Sequence, residues 1–163
     1  MTSQIISQGR IQPNTFEKQL DNDTFSLPQG DVIVSFPVWQ VNRDALKAHT
    51  AKVGLFVDSG QEPEDFADEL GHFDLVAINF PVFSDGRGFS IARLLRERYG
   101  FEGDIRAIGD VLQDQLFYMT RCGFTSFELR EDKDINEALA GFATISETYQ
   151  SGTDQPEPLF RRR

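Results

Sequence analysis

The chain has 163 residues, enough for one ordinary domain with a core of its own. Its formal net charge of -10 repels nucleic-acid phosphates and anionic lipid, so neither is an expected partner. One cysteine, Cys122, excludes an intramolecular disulfide and any cysteine-ligated cluster built from this chain alone, and no cofactor is expected.

The start, MTSQIISQGRIQ, has no long apolar stretch, and no window approaches the roughly 18 apolar residues of a membrane span. The expected compartment is the cytoplasm. Residues 1–30 read as an irregular N-terminal segment punctuated by Gly9, Pro13, Pro28 and Gly30, with room for a short strand near Ile5–Ile6 or Arg10–Ile11. A regular rhythm starts at Asp31. DVIVSF (31–36) is a β-branched strand, and Pro37 suits the first turn of a helix whose Val38, Val41 and Ala45 share a face that Trp39 and Leu46, seven apart, could widen. KVGLFVD (52–58) is a second strand. Pro63 and the acids of EPEDFADEL open a second helix.

DLVAINF (74–80) is a third strand, apolar throughout as when both faces are covered. SIARLLRERYG (90–100) is a helix with Ile91, Leu94 and Leu95 on one side and Gly100 as its stop. DIRAIG (104–109) is a fourth strand. Asp110 with Gln113 forms a capping-box pattern for a helix running to Cys122 and stopping at Gly123. TSFEL (125–129) is a fifth strand, and Asp134 with Glu137 opens INEALAGFATI. The organisation is therefore an irregular segment 1–30, an α/β domain 31–149 and a flexible tail 150–163.

Strands and helices alternate at the spacing of βα units, which predicts a single α/β domain with a mainly parallel sheet. A full TIM barrel needs more chain, so the fold is either an open doubly wound sheet or a partial TIM-barrel-like one. In both, ligands bind at the carboxyl ends of the strands. Asp58, Asn79 and Asp110 fall there and are the candidate catalytic groups, although helix capping alone accounts for Asp110. The loop SDGRGFS supplies a candidate anion site made of Asp85, Gly86, Arg87, Gly88 and Ser90, with Arg130 from the fifth strand end. The competing reading is a tight βα turn with Arg87 paired to an acid. Cys122 reads as a buried, inert thiol, and Arg93, Arg96, Arg98 and Arg106 as cations paired with Glu97, Glu102 and Asp104. Phe117 and Tyr118 lie off the Leu112, Leu116, Met119 stripe, which suits either burial on two sides or a protein interface.

The strings F-x-D-G-R-G-x-S at Phe83–Ser90 and R-A-x-G-D-V-x-x-D-Q-L-F-x-x-x-R-C-G-F at Arg106–Phe124 resemble a family of short bacterial proteins. Its members are of unknown molecular function, carry the label of oxidoreductases involved in sulfite reduction, and are typically encoded beside sulfite reductase. The PLFRRR ending looks like the family's tail as well. The resemblance implies a pathway, assimilatory sulfite reduction, and a partner, sulfite reductase or another sulfur-assimilation enzyme. It implies no mechanism, and the chain shows neither a dinucleotide loop nor a cysteine pair of its own. Phe117, Tyr118, Leu159 and Phe160 are the candidate partner contacts, with Arg161–Arg163 meeting acidic groups. The uncovered edges of an incomplete barrel predict a homo-oligomer. The alternative function is a small-anion enzyme or carrier for sulfite, sulfate or a phosphate-bearing ligand.

Overall fold

The computed structural model describes residues 4–58, 60–81, 86–130 and 132–141. Eight strands form one sheet: β1 (Gln4–Ser7), β2 (Arg10–Pro13), β3 (Glu17–Gln19), β4 (Val32–Ser35), β5 (Val53–Asp58), β6 (Leu75–Phe80), β7 (Asp104–Gly109) and β8 (Ser126–Phe127). Their order is β2-β1-β8-β7-β6-β5-β4-β3. Neighbours from β3 to β8 pair parallel, whereas β1 pairs antiparallel with both β8 and β2, so the sheet is mixed. The helices are α1 (Phe36–Val41), α2 (Arg43–Lys47), α3 (Arg87–Glu97) and α4 (Leu116–Cys122), and a further helical stretch covers 135–141.

Residues paired across a parallel sheet point to the same face. Val34, Leu55, Val76 and Ile105 are in register, as are Val57, Ile78, Ala107 and Phe127. All eight belong to one core cluster together with the buried helix residues Val38, Trp39, Leu46, Ile91, Leu95 and Met119. The opposite face carries a separate, smaller cluster of Ile33, Leu75, Ala77 and Ile108, packed by Phe16 and Phe56. Among the described residues helices therefore cover one face only, which sets the sheet apart from the open doubly wound alternative. The sheet curls instead around the small cluster. Lys18 on β3 reaches Glu128, just beyond β8, at 2.9 Å, so the curl brings strands from opposite ends of the order together. The result is a half-barrel with helices outside.

Four sequence expectations change. The N-terminal segment is more regular than expected: the strand places at Ile5–Ile6 and Arg10–Ile11 are both filled, by β1 and β2, β3 is added, and β1 extends the sheet beyond β8 with Ile5 and Ile6 buried. The helix after β4 breaks at Asn42, where φ is -113° and ψ is 26°, so its face does not run on into α2. Trp39 and Leu46 are buried there, and Val41 is 70% exposed. Residues 63–72 form two 3-10 segments rather than an α-helix, with Phe66 and Leu70 as their buried anchors. The helix after β7 starts at Leu116, following a 3-10 turn at Gln113–Gln115. It ends as expected at Gly123, whose φ of 117° few side chains tolerate. Among the described residues no helix is long and apolar enough to cross a membrane.

Candidate functional site

The carboxyl edge is built by β5, β6 and β7 and the loops that leave them. Asp58 and Asn79 are register partners, and the Asn79 amide donates to Asp58 Oδ1 at 3.0 Å. The Asp58 backbone N–H is taken by Gln61 at 2.9 Å. Gly109 follows with φ of 92°, and a Cβ there would stand 2.5 Å from the Phe80 carbonyl oxygen and 2.6 Å from Asn79 Oδ1. Only glycine fits that approach. The turn lets the Asp110 N–H donate to that same Phe80 carbonyl at 2.8 Å.

Asp110 does not cap a helix. Its carboxylate pairs with Arg130 at 2.9 Å, because β7 and β8 are adjacent and both loops leave on the same edge. Arg130 also pairs with Asp132 at 2.9 Å. Asp132 is the main cause of the upward push on the Arg130 pKa, and in return the guanidinium lowers the Asp132 carboxyl below its ordinary range. With two carboxylates on one cation, this group is net negative. The structure thus brings Asp58 to Asn79 and Asp110 to Arg130 as two separate pairs.

The proposed anion loop divides. Asp85 lies outside the described residues. Gly86 precedes α3, and Arg87 is exposed at its first position. Ser90 is inside the helix and exposed, not at its start. Gly88 is buried, and a Cβ on it would lie 2.5 Å from the Phe80 ring. Close packing of α3 on β6 therefore requires glycine at 88.

The same contact begins a row of rings. Phe124 lies 5.8 Å from Phe80, Phe80 lies 5.3 Å from Phe89, and Phe89 lies 5.2 Å from Tyr118. The row runs from core to surface, where Tyr118 is 49% exposed. Phe117, beside it, is half-buried. Cys122 and Tyr118 both interact with the exposed Arg93 and raise its pKa, Cys122 contributing most. Cys122 itself is 2% exposed. Tyr118, Phe89 and Arg93 make an aromatic and basic surface across α3 and α4. Leu159 and Phe160 lie outside the described residues.

Residues 54–160 match the model of a family described as "Bacterial protein of unknown function (DUF934)". The chain belongs to this family. No curated protein and no solved structure matches it. The family's matched span includes the carboxyl-edge pairs and the α3–α4 surface alike.

Two arginines expected as surface ion pairs are structural. Arg96 donates to the carbonyls of Gly123, Phe101 and Gly103 at 2.8–3.1 Å, joining the loops before β7 and β8, and burial lowers its pKa. Arg106 is 4% exposed on the inner face. It donates to Ser126 at 2.9 Å and to Asn14 at 3.2 Å, and it lies over Phe16 at 5.3 Å. Asp104 pairs with it at 3.5 Å and opposes the downward push of burial on its pKa. Arg106 lines a cavity of about 680 Å³ at the amino edge, shared with Phe16, Asp74, Leu75 and Asp104. A second cleft, about 540 Å³, opens at the carboxyl edge between the loops after β7 and β8. The sequence carried no local signal for either cavity, since each joins residues far apart in the chain. Among the described residues no group of three or more His, Cys, Asp or Glu side chains is placed to hold a metal ion.

Proposed function

We propose that this chain is a cytoplasmic accessory protein of assimilatory sulfite reduction that works by docking on sulfite reductase or another enzyme of that pathway. The resemblance carried by Phe83–Ser90 and Arg106–Phe124 supplies the pathway. The observation that carries docking is the row of rings ending in Tyr118 beside Arg93. A tyrosine at 49% exposure, backed by rigid aromatic packing and an arginine, has the composition of an interface hot spot. In this reading the half-barrel is an incomplete βα barrel, and strands β2 and β3 at the ends of its order favour self-association as a dimer.

The small-anion alternative draws on Arg87 at the start of α3. It draws little from Arg130, which already holds two carboxylates. A deletion strain grown on sulfate, sulfite, sulfide or cysteine as sole sulfur source tests the pathway. Growth restored by sulfide and not by sulfite is the expected result; growth equal to the parent on every source refutes it.

A further inference from the structure

We infer that the cleft between the loops after β7 and β8 receives this chain's own terminus, the segment Pro158–Arg163. The cleft joins apolar Leu112, Leu129 and Ala138 to the carboxylates Asp114, Asp132 and Glu137. Lys133 is the one lining cation among the described residues. Asp132 is held by Arg130, but among the described residues no ion pair involves Asp114 or Glu137, and both are exposed. An apolar floor with an acidic rim selects an apolar segment followed by cations. The terminus reads Pro-Leu-Phe-Arg-Arg-Arg, the densest run of positive charge in a chain of net charge -10. Leu159 and Phe160 supply the apolar anchors and Arg161–Arg163 the charge. A volume of about 540 Å³ is that of a peptide or small-ligand pocket.

Where the described residues end decides the occupant. Gly141 sits against Gln113, itself in the cleft lining: a Cβ on Gly141 would be 3.2 Å from Gln113 Nε2. The described chain therefore ends at the cleft's own rim. The 17 positions from Gly141 to Pro158 (158 minus 141) span up to roughly 58 Å when extended, ample to leave and return. Tethering at this distance gives a high effective concentration, so a modest contact suffices. Charges at an exposed rim are screened by salt, which makes the contact salt-sensitive.

Methyl NMR on the full-length chain tests this. In the variant with Arg161→Glu, Arg162→Glu and Arg163→Glu, the Leu112, Leu129 and Ala138 methyl resonances should shift, while Leu75 and Ala77 on the inner face stay in place. Adding Asp114→Lys and Glu137→Lys to that variant should restore the wild-type positions, and 0.5 M salt should reproduce the shift in the wild type. Cleft resonances unchanged in the triple variant overturn the proposal. Wild-type shifts that grow with protein concentration overturn it too, because the occupant is then the terminus of a second copy.

Discussion

The two edges of the sheet use the same residue type to opposite ends. At the amino edge, carboxylates fasten strand to strand. Asp31 accepts from the Lys52 backbone N–H at 3.1 Å, Asp74 from the Val53 N–H at 3.1 Å, and Asp104 from Ser126 at 3.0 Å as well as from Thr125 and Arg106. At the carboxyl edge, Asp110 and Asp132 pair with a side chain from a neighbouring loop, and that guanidinium, Arg130, is exposed. Acids near strand ends are thus not evidence of chemistry in themselves. Those at the amino edge belong to the fold, as does Asp58 at the carboxyl edge through Asn79, whereas Asp110 and Asp132 tie loop to loop.

The sharpest way to break this comparison is to remove one acid from each edge. Asp104→Ala leaves Arg106, 4% exposed, without its carboxylate and should lower stability by about 3 kcal/mol in urea unfolding. Asp110→Ala, which parts a pair whose arginine is exposed, should cost less, about 1 kcal/mol. Equal losses would erase the distinction between the edges.

A smaller effect separates two glycines of one loop. Gly88→Ala drives a methyl into the Phe80 ring and should cost about 2 kcal/mol, read as a lower melting temperature. Gly86→Ala meets no atom of the described residues within 4 Å and should leave it nearly unchanged. If Gly86 proved the more sensitive, the loop would have a role beyond packing. The anion alternative is sharpened by calorimetric titration of wild type and Arg87→Ala with sulfite, sulfate and phosphate; the docking account expects no difference between them. The smallest effect is on pH. Asp132 has its pKa lowered by Arg130, so its contribution is complete above the ordinary carboxylate value of 3.8 and is lost as pH falls below it. Asp132→Asn should flatten stability slightly in that acid window and leave neutral pH unchanged, a difference that 1 M salt should remove.

Strands β4 to β8 were legible as short apolar runs set off by turn residues, β4 most clearly, since its β-branched Val32, Ile33 and Val34 are all fully buried. Within residues 4–19 the places of β1 and β2 were legible at Ile5–Ile6 and Arg10–Ile11, but β3 was not, being short and polar, nor was the pairing of β1 with β8, more than a hundred positions away, which no local pattern encodes. The Asp110–Gln113 spacing looked like a helix cap because that pattern is local, whereas the contact that governs Asp110 is with Arg130, twenty positions on. Asp134 lacks such a competitor and caps as its spacing implies, accepting from the Asn136 and Glu137 N–H groups. The site shows the same divide. Asp58 and Asn79 could be placed at one edge from strand ends alone, but the meeting of Tyr118 with Phe89 and Arg93 required the packing of α3 on α4.

The docking claim is tested most directly by the affinity of the full-length chain for sulfite reductase, measured by sedimentation for wild type and Tyr118→Ala. The account predicts association by the wild type and at least a tenfold loss in the variant, the scale of a hot-spot truncation, with an unchanged melting temperature. No association, or equal affinity in both proteins, would contradict it.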